Sequence, residues 1–316
     1  MIKRTAAADI SSPKFAGHET FCLRYAWPKK AVDATQRDSL VFTRDDAVIT
    51  LGVGKNMVRS IRHWGLMTAI LEESPHQPNN RGRHIRPSAL GRLLFSAEGI
   101  DPYLEEAGTL WLLHWNLASR PEGPTTWYWG FNQFPEAEFT KERLVAWLGE
   151  LAETADWTRV ADSSLKRDVD VFVRTYVPSR ASKTLVLEDS LDSPLAELRL
   201  IQEIEGGRIY AFARGEHSSL PLAVFAYSLL DYWQTAAVHR EVLSFDELAF
   251  QPGSPGRVFK LSENAVSDYL ESLERFTDGA IGYDVTGGLR QVYRRRPLQL
   301  LDVLRDMPSG GTKGRR

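Results

Sequence analysis

The chain has 316 residues and carries 39 Lys and Arg residues against 41 Asp and Glu residues, for a formal net charge of −2. This balance excludes an argument for nucleic-acid binding from total charge, so such binding must be argued from local basic clusters. A single cysteine, Cys22, excludes a disulfide framework and a cysteine-rich zinc site within one chain. No apolar run approaches a membrane span, and the N-terminus MIKRTAAADISSPK lacks the apolar core of a signal peptide. We therefore expect a cytoplasmic protein with no membrane partner.

The first segment rich in functional side chains is FAGHETFCLRYAWPKK, which follows a polar N-terminus. One hypothesis makes His18 a base, with Glu19 orienting it or binding a metal ion. Arg24 or Lys29 would then contact a phosphate. The alternative is structural, with His18 or Glu19 bonded to the backbone and Arg24 in an ion pair.

The segment TRDDAVITLGVGKNMVRSIRHW predicts a helix, a glycine turn and a second helix. Thr43 is the predicted N-cap of a first helix that ends near Leu51, and Gly52 and Gly54 form the turn. Apolar residues then recur at the spacing of one buried helical face: Val53, Met57, Ile61 and Trp64. The other faces carry donors suited to a DNA major groove, namely Lys55, Asn56, Arg59, Ser60, Arg62 and His63. A solvated basic face is the alternative interpretation.

The second helix is followed by a turn-rich basic segment, SPHQPNNRGRHIRP. We predict short strands at residues 67–71 and 84–86, with the tip between them built from proline, asparagine and glycine. Arg81, Arg83 and Arg86 would contact DNA from this hairpin. Residues 1–95 are therefore predicted to form an N-terminal winged helix-turn-helix domain that binds double-stranded DNA.

Residues 96–250 are predicted to form a middle domain of mixed α/β structure. His114 lies in a helix crowded with Trp and Leu, so we expect a hydrogen-bonded core histidine rather than a metal ligand. The aromatic cluster of TTWYWGFNQF fits either domain packing or the stacking of nucleic-acid bases.

The segment SLKRDVDVFVRTY fits either a short strand or an amphipathic helix. On a strand, Asp168 and Asp170 would share one face and could together hold Mg²⁺ or Mn²⁺ beside a phosphate. Lys166 and Arg167 would steady that phosphate. The alternative is a solvated surface network of these four side chains.

The composition changes at PGSPG, which predicts a linker before a C-terminal winged-helix-like module at residues 251–307. A helix capped by Ser262 precedes a hairpin that is followed by RRR. This hairpin is either a second DNA contact or a dimerisation wing in a homodimer. Its basic residues are Arg290, Arg294, Arg295 and Arg296. Residues 308–316 are predicted to be a disordered basic tail, and the whole chain to be α+β and mainly helical.

Five motifs in this order resemble a bacterial family of proteins of unknown function: FAGHETFCLRYAWPKK, LGVGKNMVRSIRHW, GIDPYLEEAGTLWLLHW, LKRDVDVFVRTY and LEDSLDSPLAEL. Members of that family are found beside cysteine desulfurases and phosphoadenylylsulfate-reductase-like proteins. This neighbourhood resembles the Ssp DNA phosphorothioation systems, in which sulfur replaces a non-bridging phosphate oxygen on one DNA strand in anti-phage defence. The family looks like the B subunit of these systems.

The resemblance implies a DNA-nicking component that acts with a cysteine desulfurase, an ATPase and a sulfur-transfer subunit. It assigns no nicking residues, and the sequence shows no PD-(D/E)xK, HNH or GIY-YIG pattern. Two other hypotheses remain: a non-catalytic DNA adaptor, and a transcriptional regulator of a defence locus. A regulator would bind its own promoter as a symmetric dimer.

Overall fold

The computed structural model describes residues 13–75, 83–157, 160–178, 192–305 and 307. Within these ranges the fold is α+β, with helices predominating over short antiparallel strands, as predicted. In chain order the helices are α1 (Trp27–Arg37), α2 (Ala47–Leu51), α3 (Lys55–Met67), α4 (Ala89–Phe95), α5 (Ala107–Ala118), α6 (Thr125–Asn132), α7 (Lys141–Thr154), α8 (Asp162–Tyr176), α9 (Leu222–Ala236), α10 (Phe245–Phe250), α11 (Pro255–Val258) and α12 (Glu263–Phe276). The strands are β1 (Leu71–Glu73), β2 (Ile85–Pro87), β3 (Glu138–Phe139), β4 (Ile201–Glu205), β5 (Ile209–Phe212), β6 (Val242–Ser244), β7 (Ile281–Thr286) and β8 (Leu289–Arg294).

The predicted helix, glycine turn and second helix are present as α2 and α3, but α2 begins later than expected. Residues Val41–Thr43 form a 3₁₀ turn, so Thr43 is not the N-cap, and Asp46 precedes the first residue of α2. Gly52 ends α2 with φ 64°, a left-handed conformation that glycine adopts without steric cost. The chain then turns and α3 begins after Gly54.

A two-stranded antiparallel hairpin follows α3, in which Leu71 pairs with Pro87 and Glu72 with Arg86. The first strand was predicted at residues 67–71. It starts only at Leu71, because α3 continues to Met67 and Ala69 then takes a left-handed φ of 57°. The predicted wing tip, including Arg81, lies outside the described residues.

The middle of the chain is built on helices that are buried almost all around. In α5 and α6 nearly every side chain is excluded from solvent. His114 accepts a hydrogen bond at Nδ1 from the Tyr176 hydroxyl (2.7 Å) and donates from Nε2 to the Val258 carbonyl (2.9 Å), so it is the core histidine that was expected. The aromatic cluster also packs inside: Trp127, Tyr128, Trp129 and Phe131 are each 0–1% exposed. Buried rings are not available to stack on bases.

The ambiguous segment after residue 161 is a helix, α8, which packs against α7. Its buried positions include Leu165, Val169 and Phe172, the spacing of a helical face. The strands β3, β5 and β4 form an antiparallel sheet nearby. A 3₁₀ turn, Pro194–Leu198, precedes β4.

The PGSPG segment is not a linker. Ser254 is fully buried and caps α11, while Gly256 lies so close to α10 that an added Cβ would sit 2.6 Å from the Ala249 Cα. Ser262 caps α12 as predicted, and β7 and β8 form the expected hairpin around Gly287 and Gly288.

One continuous cluster of buried side chains extends from Leu23 to Met307. It includes Trp64, Trp127 and Leu270, one from each of the three predicted domains. The core therefore continues across the predicted boundaries after residues 95 and 250. Among the described residues, no helix combines the length and the apolar character needed to cross a membrane.

Candidate functional site

The exposed face of α3 carries most of the donors that the sequence predicts. Lys55, Asn56 and Arg59 are exposed, and Arg62 is partly buried. On the opposite side Ile61 and Trp64 are each 1% exposed and belong to the main core. The apolar face thus fixes the helix, while the polar face stays open to solvent.

An acidic side chain lies on this same face of α3. The Arg59 guanidinium donates from Nη1 to Oε1 of Glu19, 3.3 Å away. Glu19 was a candidate partner of His18 in a catalytic pair. The structure instead turns it toward the basic helix, because adjacent side chains in this loop point in different directions.

His63, which the sequence places among the DNA-contacting residues, packs against the loop of residues 13–20. Its ring packs edge-on against those of His18 and Trp64, with ring centres 5.9 and 5.4 Å apart. A Cβ on Gly17 would lie 2.5 Å from His63 Nδ1, so the loop approaches this ring closely. Burial, with the nearby His18, lowers the His63 pKa to about 3. The neutral ring supplies no cation to DNA.

The structure brings together two residues from different predicted sets. His18 and Asp168 are 150 positions apart, and His18 Nε2 lies 2.9 Å from Asp168 Oδ1. Both residues are 1% exposed. The His18 ring stacks on Trp64 and lies beside Trp127, with ring centres 6.3 and 6.2 Å apart.

The hydrogen bonds of His18 fix its tautomer. The Thr20 backbone N–H donates to Nδ1 (3.1 Å), so Nδ1 is an acceptor and Nε2 carries the proton donated to Asp168. Asp168 Oδ1 also accepts the Ala16 backbone N–H (2.6 Å). The other carboxylate oxygen, Oδ2, and His63 Nε2 are buried without a hydrogen-bond partner among the described residues. His18 and Asp168 therefore hold the loop of residues 13–20 against α8.

Asp168 and Asp170 do not converge, because two positions along a helix point to nearly opposite sides. Asp170 accepts hydrogen bonds from Lys141 (2.6 Å) and Arg174 (3.2 Å). Burial opposes the ionisation of Asp170, but these two cations outweigh it and lower its pKa. Lys166, the predicted phosphate ligand, is exposed and paired with Asp162 at 2.7 Å.

A shared Mg²⁺ or Mn²⁺ on Asp168 and Asp170 does not fit this arrangement. The Asp168 carboxylate is buried and hydrogen-bonded to His18. The Asp170 carboxylate, on the opposite side of α8, forms ion pairs with Lys141 and Arg174. Across the part of the chain that the structure describes, no group of three or more His, Cys, Asp or Glu side chains is arranged to hold a metal ion.

The predicted basic contacts outside α3 are mostly engaged within the chain. Arg86 pairs with Glu72 across the β1–β2 hairpin at 2.7 Å. Near the C-terminus Arg295 pairs with Glu274 at 2.5 Å, and the Arg294 guanidinium lies 5.4 Å from the centre of the Trp233 ring. Arg83 is exposed, whereas Arg81 lies outside the described residues.

Sequence reasoning missed the pairing of His18 with Asp168 and placed each in a different site. One usable signal was present: Asp168 stands in the run DVDVFV, among residues that α8 buries. A buried carboxylate needs hydrogen-bond donors, and those donors come from a loop distant in sequence.

Comparison with known proteins places the chain in a family. The model of the family described as "Protein of unknown function (DUF4007)" matches residues 15–306. A magnesium ion-bound SspB crystal structure superposes with a TM-score of 0.81 and 31% sequence identity, covering 96% of this chain and 95% of that chain. A second SspB crystal structure gives a TM-score of 0.81 and 32% identity, covering 96% of each chain. No curated protein matches. The chain therefore belongs to the DUF4007 family and is similar in sequence and fold to SspB.

Proposed function

We propose that this chain is the DNA-recognition component of a bacterial Ssp DNA phosphorothioation system that serves anti-phage defence. The observation that carries the proposal is the exposed face of α3, where Lys55, Asn56 and Arg59 project from a helix whose other face is part of the core. Its likeness to SspB over 96% of the chain supports the assignment to this system. Its partners are then double-stranded DNA and the desulfurase, ATPase and sulfur-transfer subunits.

The order of elements around α3 supports a winged-helix mode of binding. A short helix, a glycine turn, α3 and an antiparallel hairpin follow one another along the chain. In this mode α3 enters the major groove, where Arg, Lys and Asn reach base edges. Arg83 and Arg86, on or next to the hairpin, lie beside phosphates and position the helix.

The proposal is tested by binding to 30-base-pair duplexes of mixed sequence, measured by fluorescence anisotropy at low salt. We expect Lys55→Ala/Arg59→Ala to weaken binding roughly tenfold, because the variant loses a cation that attracts phosphates, Lys55, and a guanidinium that contacts base edges, Arg59. Both side chains are exposed, so the melting temperature should not change.

The matched control is Arg208→Ala/Arg305→Ala, which removes the same charge from exposed positions outside α3. It should bind DNA like the wild type. Equal affinity of the α3 variant and the control would contradict the proposal.

Strand nicking is a second candidate function. It is favoured by the similarity to a magnesium ion-bound SspB structure, since a hydrolytic cut of one strand usually uses a metal ion. Of the predicted catalytic residues His18, Glu19, Lys166, Asp168 and Asp170, only His18 and Asp168 meet. Both are buried, so contact between this pair and a phosphate requires the loop of residues 13–20 to move.

Nicking is tested on supercoiled plasmid with Mg²⁺ or Mn²⁺. A nickase converts the plasmid to open circles, and we expect Asp168→Asn to lose this activity while Asp170→Asn keeps it, because only Asp168 lies with His18. Clear DNA binding without open circles under any metal condition would instead identify a non-catalytic adaptor. Open circles from Asp168→Asn at the wild-type rate would exclude this residue.

A further inference from the structure

Glu19 occupies an unusual place for an acid. Its carboxylate lies 3.3 Å from the Arg59 guanidinium, on the face of α3 that we propose reads DNA. Both groups reach solvent, with side-chain exposures of 33% for Glu19 and 56% for Arg59. A phosphate approaching Arg59 would therefore meet a negative charge.

The position of Glu19 is fixed by the loop that carries it. Lys14 is bonded to Thr125 at the start of α6, through its backbone N–H to the hydroxyl (2.7 Å) and its carbonyl to the backbone N–H (3.1 Å). The next anchor is the buried pair of His18 with Asp168. Glu19 thus projects from a backbone that is tied to two helices.

The same loop adopts conformations that L-residues disfavour. Ala16, Glu19 and Thr20 have φ values of 58°, 50° and 68°, all in the left-handed region. Such backbone persists only where surrounding contacts determine it, and it concentrates at functional sites. An exposed ion pair adds little to stability, so the Glu19–Arg59 contact does not by itself explain the left-handed backbone of this loop.

The paired guanidinium can still take part in recognition. Arg carries five N–H donors, and the contact with Glu19 uses one of them, Nη1. The remaining donors can reach a guanine edge, and the carboxylate can accept a hydrogen bond from a cytosine amino group. Contact with a backbone phosphate is disfavoured by repulsion from Glu19.

Resting on the proposed function, we infer that Glu19 is a specificity-determining residue of the DNA-reading face. It holds Arg59 away from generic phosphate contacts and leaves it available for base edges. Specificity then arises because Glu19 weakens contacts between Arg59 and phosphates, while the contacts of Arg59 with base edges are retained.

The test compares wild type with Glu19→Gln, which keeps shape and removes charge, on duplexes of random sequence across a salt titration. We expect Glu19→Gln to bind roughly threefold to tenfold more tightly, with a slope of log affinity against log salt steeper by about 1, because Arg59 gains a phosphate contact. In Arg59→Ala the same change should give no gain. Selection from a randomised duplex library should enrich a less defined sequence with Glu19→Gln than with the wild type.

Glu136→Gln is the matched control, because Glu136 also forms a half-exposed ion pair, with Arg143, but not on α3. It should leave affinity and salt dependence unchanged. Wild-type affinity and salt slope in Glu19→Gln, or equal gains in Glu136→Gln, would overturn the inference alone. Absence of DNA binding by the wild type would overturn the proposed function, and the inference with it.

Discussion

At the scale of single residues, one buried histidine, His114, and one partly buried histidine, His63, make the stability of this fold dependent on pH. Burial lowers the pKa values of His63 and His114 to about 3, against about 6.5 in an unfolded chain. Between these values the unfolded state binds more protons than the folded state. The contribution of these histidines to stability is therefore fully present above pH 6.5 and decreases as the pH falls toward 3.

We expect the free energy of unfolding to fall between pH 7 and pH 5 by about 2 kcal/mol for each of these two histidines. In His114→Gln the decrease in the free energy of unfolding between pH 7 and pH 5 should be smaller by about 2 kcal/mol, although the variant is less stable at both pH values. Urea denaturation at the two pH values measures this difference. His239→Gln, at an exposed position, is the control and should retain the wild-type loss. A His114→Gln variant with the full wild-type loss would contradict the assigned pKa of His114.

At the scale of elements, the sequence correctly predicted those features of helices and turns that depend on a few neighbouring residues. The glycine turn at Gly52, the inward face of α3 and the Ser262 cap of α12 each follow from a few neighbouring residues, and each is present in the structure. The start of β1 was misplaced because α3 runs to Met67 without a stop signal in the sequence.

The site was harder to predict than the elements, because its contacts join distant parts of the chain. Considered on α3 alone, His63 follows Lys55 and Arg59 at intervals of four residues, so it is expected to point outward with them. The loop that contains Gly17 packs against the His63 ring, and the residue is partly buried. Likewise, the helix assignment of α8 separates Asp168 from Asp170, which a strand would have placed on one face.

At the scale of the whole molecule, α3 is integrated into the core rather than attached to it. Trp64 of α3 contacts the ring of Trp127 in α6, with centres 5.5 Å apart, and donates from its indole N–H to the Phe21 carbonyl. The proposed DNA-reading face and the loop that carries Glu19 therefore rest on the same buried aromatic cluster. Because α3 is packed against the core in this way, its side chains have fixed positions. Fixed positions favour sequence-selective recognition over nonspecific electrostatic binding.

The C-terminal hairpin, β7–β8, holds its arginines close to acidic and aromatic side chains of the same chain. Arg290 of the C-terminal hairpin stacks 3.4 Å from the centre of the Phe245 ring and faces Asp246 and Glu263, each at 3.7 Å. Arg295 pairs with Glu274. Arginines held by neighbouring acids are less available to phosphates. Arg86 of the β1–β2 hairpin is paired in the same way with Glu72, but that hairpin directly follows α3, so the C-terminal hairpin is the weaker candidate for DNA contact.

The most direct measurement of the central claim is amide hydrogen exchange with and without a duplex of mixed sequence. We predict protection by DNA in α3 and in the β1–β2 hairpin, with the β7–β8 hairpin exchanging as in the free protein. Protection confined to the β7–β8 hairpin, with α3 unchanged, would contradict the claim that α3 is the DNA-reading element.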